Sequence, residues 1–142
     1  MPPPRALVKT AMAMHEFWYR LTGGLIGGKI MGIPHLLLTT TGRKSGRRRT
    51  TPLMYLADGD DLVIVASFGG SPQHPVWFLN LRADPEAEVQ VGREQRRVVA
   101  HVTDDDDRAR LWPRLVEMYK SYADYQTRTT RKIPVVRLKP RS

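Results

Sequence analysis

Residues 35–66 read HLLLTTTGRKSGRRRTTPLMYLADGDDLVIVA. Three apolar and β-branched runs, HLLLTTT, TTPLMYLAD and LVIVA, are separated by a glycine- and serine-bearing segment and by a DGDD turn, the punctuation of consecutive antiparallel strands. The stretch reads as a three-stranded meander. Its first connection, TTTGRKSGRRRTTP (39–52), carries five cations within seven positions: Arg43, Lys44, Arg47, Arg48 and Arg49. Because apolar runs flank it on both sides, so much charge belongs to a strand connection rather than to a tail, and the turn is a candidate site.

Working outward, residues 5–21 place Leu7, Ala11, Met14, Trp18 and Leu21 at three- and four-residue spacing, with Lys9 and Glu16 elsewhere, the pattern of an amphipathic helix. A glycine-rich link, GGLIGGKIMGIP, follows it. Downstream of the meander, HPVWFLNLR (74–82) reads as a short helix ahead of a DP breaker, and AEVQVGREQRRVVAHVT (87–103) as a hairpin. The run DDDD at 104–107 can cap and charge-complement a helix reaching about Tyr119, and TTRKIPVVRLK (129–139) supplies a last strand. Five or six short antiparallel strands with helices at the ends indicate an α+β chain built on a small β-barrel. Its organisation is an N-terminal helix and link over 1–30 and one barrel domain over 31–142.

Composition agrees with a single domain. A chain of about 150 residues buries roughly 70% of its unfolded surface, enough for one modest core. Lys and Arg number 23 against 14 Asp and Glu in 142 residues, a net charge of +9 that favours anionic partners: nucleic acid, acidic lipid headgroups or a polyanionic small molecule. Cysteine is absent, so disulfides, thiolate zinc sites and cysteine nucleophiles are excluded, which suits a reducing cytoplasm. No apolar run approaches the ~20 residues that span a bilayer. The start lacks the h-region and cleavage site of a signal peptide.

The basic turn fails two phosphate-binding patterns. Arg43 precedes Lys44 where a Walker A loop needs glycine, and no GxGxxG fingerprint is present. What remains is a turn whose backbone amides and forked guanidinium groups can hold phosphate or carboxylate, or else a solvated hairpin tip. Successive arginines on a strand point to opposite faces, so the triplet 47–49 cannot serve one solvated edge. Near the C-terminus, EMYKSYADYQ places Tyr119, Tyr122 and Tyr125 at i, i+3 and i+6, either an aromatic wall on one side of a helix or ordinary core. In ASFGGSPQHPVWFLNL, Gly69 and Gly70 permit a ligand to approach the backbone, as they would in any tight loop, and Trp77 and Phe78 follow on the next helix. His15, His35, His74 and His101 are scattered, and we expect no metal site.

Three collinear segments, LLLTTTGRKSGRRRTTPL, ASFGGSPQHPVWFLNLRADP and LWPRLVEMYKSYADYQTRTTRKIPVV, resemble the deazaflavin-dependent nitroreductase family of actinobacteria. The resemblance spans about residues 30–140. It implies a split β-barrel of the flavin-reductase and pyridoxamine-phosphate-oxidase type, with an N-terminal helix and peripheral helices. It also implies an oxidoreductase that passes a hydride from reduced coenzyme F420, an 8-hydroxy-5-deazaflavin, to quinones, nitroaromatics or activated enones. The family's coenzyme contacts carry over onto Thr41, Gly42, Arg43, Lys44 and Arg49 and onto Ser67, Phe68, Gly69 and Gly70. Its acceptor-side aromatics carry over onto Trp77, Tyr119, Tyr122 and Tyr125, with Tyr125 or Tyr122 as catalytic proton or hydrogen-bond donor. A lysine often stands in that family where this chain has Phe68, so Arg47 or Arg48 becomes a candidate replacement for one contact.

The resemblance also accounts for the charge. Coenzyme F420 carries a phosphodiester and an oligoglutamate arm, and five cations on one turn suit such an arm better than the single phosphate of FMN or the two propionates of haem. The cofactor carries the hard chemistry, so no triad or metal cluster is required. Two other classes use the same features: a non-catalytic flavin, deazaflavin or haem carrier, and a nucleic-acid-binding barrel, disfavoured because its aromatics lie on helices. The N-terminal stripe, with Phe17, Trp18, Tyr19, Arg5, Lys9 and Arg20, fits either packing on the barrel or on a second subunit, or lying on an anionic membrane surface. The expected protein is therefore cytoplasmic, with a peripheral position on the inner face of the cell membrane as a variant of that reading. Oligomeric state is not legible.

Overall fold

The computed structural model describes residues 29–30 and 33–141; the N-terminal helix expected over residues 5–21 lies outside them. Among the described residues, eight strands form one antiparallel sheet: β1 (Lys29–Ile30), β2 (Ile33–Thr41), β3 (Arg48–Met54), β4 (Leu56–Asp58), β5 (Asp61–Val65), β6 (Glu86–Val91), β7 (Glu94–Val102) and β8 (Val135–Pro140). Three helices accompany them: α1 (Val76–Ala83), α2 (Asp105–Met118) and α3 (Ser121–Thr127).

The expected meander is present, but Tyr55 bends it. From β3 the order runs β2, β6, β7, β8, β5, β4, so β3 and β4 are the two ends of the sheet. A single residue, Tyr55, separates them in sequence, and its N–H donates to the carbonyl of Pro34 at 3.1 Å. One bent run of chain thus serves both edges and curls the sheet toward a barrel, with the end strands β3 and β4 consecutive in the chain but not paired with each other. Pro52 sits in β3 opposite Leu37, where a missing N–H does no harm because β3 pairs only with β2.

Alternation sorts the side chains. Leu36, Leu38, Leu62, Ile64, Val89, Val98, Val136 and Leu138 fill the interior together with Trp77, Phe78 and Leu81 of α1, which plugs the barrel. Each such large apolar side chain contributes about 1.5–3 kcal/mol on burial. The other faces of β5 and β8 bury Val63, Val65 and Val135 against Leu111 and Leu115 of α2 and Tyr122 of α3. Covered on both sides, β5 reads as a continuous apolar run, LVIV, whereas β8 is apolar only at its start and then alternates through Arg137 and Lys139.

The DDDD run caps as its composition suggests. The Asp104 carboxylate accepts from the Asp107 N–H at 2.8 Å, and Asp105, Asp106 and Asp107 complement the positive end of α2. Further along, Arg137 of β8 donates to Asp58, Asp61 and Asp107, while Asp58 also receives Arg110 and Arg114. This network fastens α2 onto the β4–β5 turn. The donors from Arg110 first, then Arg114 and Arg137, hold the Asp58 carboxyl far below the usual carboxylate range.

Candidate functional site

The strand registers decide which loops share an end of the barrel. Thr41 pairs with Arg48, Thr39 with Glu88 and Val65 with Val135, so the turn 42–47, the loop after β5, the start of β6 and the segment before β8 gather at one end. The turns at 59–60 and 92–93 and Pro140 lie at the other.

At the first end, the basic turn closes through Gly42 N–H to Arg47 O and Gly46 N–H to Gly42 O, both 2.8 Å. A Cβ on Gly42 would come within 2.7 Å of Ser45 Oγ and 3.2 Å of the Arg47 carbonyl, so a larger residue would have to displace the serine hydroxyl that caps the turn. Asn80, 2% exposed on α1, ties the turn to the barrel plug: its Nδ2 donates to Thr40 Oγ1 and its Oδ1 accepts from Arg43 N–H, each at 3.1 Å. Arg49 stands opposite Thr40 and therefore shares the face that Asn80 occupies, whereas Arg48 stands opposite Thr41 on the outer face. There Arg48 donates to Thr41 Oγ1 at 3.0 Å and lies 3.6 Å from Glu88. Among the described residues, Arg43, Lys44, Arg47 and Arg49 are exposed and no carboxylate pairs with them.

The loop after β5 makes a short 3-10 turn, Phe68–Gly70, in which three successive residues take positive φ: Phe68 at 45°, Gly69 at 64° and Gly70 at 79°. A bulky residue in that region is strained and persists only where its surroundings enforce it. Two neighbours do so. A Cβ on Gly70 would lie 2.8 Å from the carbonyl of Tyr125, so α3 rests directly on the loop. From the segment before β8, Arg131 donates to the carbonyls of Ser67 and Ser71 at 2.8 Å and of Ala66 at 3.1 Å.

The three tyrosines meet, though not on one helix as their spacing suggests. α2 ends at Met118, Tyr119 is extended (φ −144°), and α3 begins two residues later. The helix is interrupted there, yet the Tyr119 and Tyr125 hydroxyls are 2.9 Å apart and the three ring centroids lie 5.0–6.4 Å from one another. Tyr122, 2% exposed, packs in the outer core, where burial raises its phenol above the ordinary range. Burial first, and then the hydrogen bond with Tyr119, push Tyr125 up to about 12. Trp77, 6% exposed, belongs to the barrel interior.

A family model described as F420H(2)-dependent quinone reductase matches residues 11–140. An F420H(2)-dependent quinone reductase of Mycobacterium tuberculosis is 46% identical over 129 residues, covering 88% of this chain and 87% of that one. The chain belongs to the F420H(2)-dependent quinone reductase family. Among solved structures, an F420-H2 dependent reductase superposes with a TM-score of 0.69 at 41% identity, covering 75% of this chain and 94% of the other. A Listeria innocua structure of the pyridoxamine 5'-phosphate oxidase type, 16% identical, superposes with a TM-score of 0.56 over 76% of this chain and 84% of its own, a likeness of fold. The fold is thus the split barrel of these reductases.

Among the described residues, Arg43, Lys44, Arg47 and Arg49 leave a cluster of positive charge without a carboxylate partner, chemistry that would suit an anionic group. Sequence reasoning missed Asn80 and Arg131. Asn80 left one trace, a lone amide inside the apolar run VWFLNL; Arg131 left none. A separate open cleft of about 580 Å³ at the opposite end, bordered by Tyr55, Leu62, Val91 and Arg96, contains none of the expected site residues. Among the described residues no helix is long and apolar enough to cross a membrane, and no cluster of metal-ligating side chains occurs.

Proposed function

We propose that this chain binds coenzyme F420 at the basic end of its barrel and passes a hydride from the reduced coenzyme to a quinone. The observation that carries this reading is the exposed turn of uncompensated cations, pinned by Asn80 beside the left-handed glycine loop, in a chain of this family. Coenzyme F420, when bound, supplies the hydride. Arg43, Lys44 and Arg49 hold its charged arm, the Thr41–Gly42 backbone shapes the turn, and Ser67–Gly70 receive the ring end. Tyr119 and Tyr125 face the acceptor, while Tyr122 and Trp77 support that wall from the two cores. A phenol pushed up to about 12 keeps its proton at neutral pH, so Tyr125 acts as a hydrogen-bond donor to charge developing on the acceptor oxygen, and solvent protonates the product.

Nitroaromatics and activated enones are the further acceptors of this proposal, since they also develop an anion that such a donor stabilises. Mixing the purified chain with reduced coenzyme F420 and menadione, and following reoxidation of the coenzyme by absorbance, tests the function. Binding without reoxidation would turn the reading to a carrier protein. We place the chain in the cytoplasm, with its N-terminal segment on the anionic inner face of the membrane where lipid-soluble quinones reside. Anionic liposomes that fail to co-sediment the full chain at low salt would remove that last step.

A further inference from the structure

Arg131 is partly buried and makes four hydrogen bonds, all to neutral acceptors: the carbonyls of Ala66, Ser67 and Ser71, and His74 Nδ1 at 3.1 Å. No carboxylate pairs with it among the described residues. Burial accordingly disfavours its charge, a cost that a merely decorative arginine avoids by facing water. Its planar fork does what a point charge cannot, engaging three carbonyls of one loop in fixed directions. Every peptide here is trans, and in a trans peptide the N–H lies antiparallel to the carbonyl before it. With the Ala66 and Ser67 carbonyls turned toward Arg131, the amides of Ser67 and Phe68 are directed to the opposite side of the loop.

We propose that Arg131 is the positioning residue of the coenzyme loop: its guanidinium, tied to three carbonyls and to His74, fixes Phe68–Gly70 in the left-handed shape that receives coenzyme F420. This rests on the assignment of Ser67–Gly70 to the coenzyme. His74 completes the device. Its ring packs on Phe78, with centroids 4.8 Å apart, and as a neutral imidazole it accepts from Arg131 through Nδ1. Burial first, and then the cationic groups that act on it, Arg131 from the segment before β8 and Arg82 of α1, favour its neutral form. Protonation would turn Nδ1 into a donor facing a donor and release one of the four ties.

The experiment uses the full chain without coenzyme and then titrated with it. Amide hydrogen exchange over residues 66–74 is compared in wild type, Arg131→Lys and Arg131→Gln, and coenzyme F420 affinity is measured by tryptophan quenching in the same proteins and in Gly69→Ala. We expect faster exchange confined to the loop in both Arg131 variants. Coenzyme binding should weaken at least about tenfold, the scale of losing one or two charged hydrogen bonds. The KM for menadione at saturating coenzyme should stay unchanged. A pH series adds a readout that simple destabilisation would not move: wild-type affinity should fall on the acid side of the ordinary histidine range, and His74→Gln, which keeps an acceptor but cannot titrate, should lack that limb. Should Gly69→Ala weaken binding while Arg131→Lys leaves loop exchange and affinity intact, the role of Arg131 is overturned and the loop assignment stands. If the loop loosens in the Arg131 variants yet neither they nor Gly69→Ala change affinity, both are overturned. A fall in thermal stability alone, with loop exchange and affinity at wild-type values, likewise overturns it.

Discussion

Asn80→Leu tests how the basic turn is held. The substitution keeps the branched shape, puts two bulkier methyl groups in place of the amide oxygen and nitrogen, and removes two hydrogen bonds, one to Thr40 Oγ1 and one from Arg43 N–H. Each such bond contributes a net 0.5–1.5 kcal/mol or so, and stranding a buried polar group costs about 1–3 kcal/mol. Thr40 is 1% exposed, so its hydroxyl cannot turn to water, whereas the Arg43 amide belongs to an exposed residue and can. The stranded hydroxyl therefore dominates, and Asn80→Leu should destabilise the chain by about 2–4 kcal/mol in urea unfolding at unchanged m-value. Thr40→Val removes the other partner. In the double variant the orphan disappears, and stability should recover by at least about 1 kcal/mol, a coupling read from the double-mutant cycle. Coenzyme affinity should stay low in the double variant, because Arg43 has still lost its tie to α1. The reasoning fails if Asn80→Leu costs less than about 0.5 kcal/mol, or if the two substitutions are simply additive.

Replacing Arg43 and Lys44 together by Ala should weaken coenzyme binding by roughly 2–4 kcal/mol, while Arg48→Ala, on the outer face, should stay within about twofold of wild type; equal losses in the two proteins would contradict the register argument. Tyr125→Phe should lower quinone turnover about 10 to 1000-fold with little change in coenzyme affinity, and an unchanged turnover with two acceptors would remove the phenol from the mechanism. Because burial raises the Tyr125 phenol from 10 to about 12, the stability it contributes is present below pH 10 and lost as pH rises toward 12, so alkaline unfolding should be less steep in Tyr125→Phe. Asp58 has the opposite sign: its folded-state value lies far below 3.8, its contribution is present above that pH and lost as pH falls below it, and Asp58→Asn should be less stable near neutrality yet lose less on acidification, as checked by urea unfolding at several pH values.

Local chemistry in the sequence determined the elements. The β-branched runs of residues 35–66, the glycines of the basic turn, the breaker after HPVWFLNLR and the Asp104 cap each act over a few residues, so periodicity and turn residues suffice to place strands, hairpins and the start of α2. The resemblance carried by three separated segments then indicated the family and the split barrel. The site's closure was a different matter. Tyr55 joins both ends of the sheet only because β8 inserts between β5 and β7, and no local pattern encodes which distant strand will pair. Tyr119 breaks a periodicity that reads as one helix, and Tyr122 on the following helix packs into the outer core. The bonds that shape the site also span long separations: 37 residues from Arg43 to Asn80 and 64 from Arg131 to Ser67. Side-chain type tells that a cation or an amide is present, but its partner is chosen by the register and curvature of the sheet. That choice sets Arg49 toward the plug and Arg48 away from it, and it turns Arg131 from one arginine among many into the residue that shapes the loop.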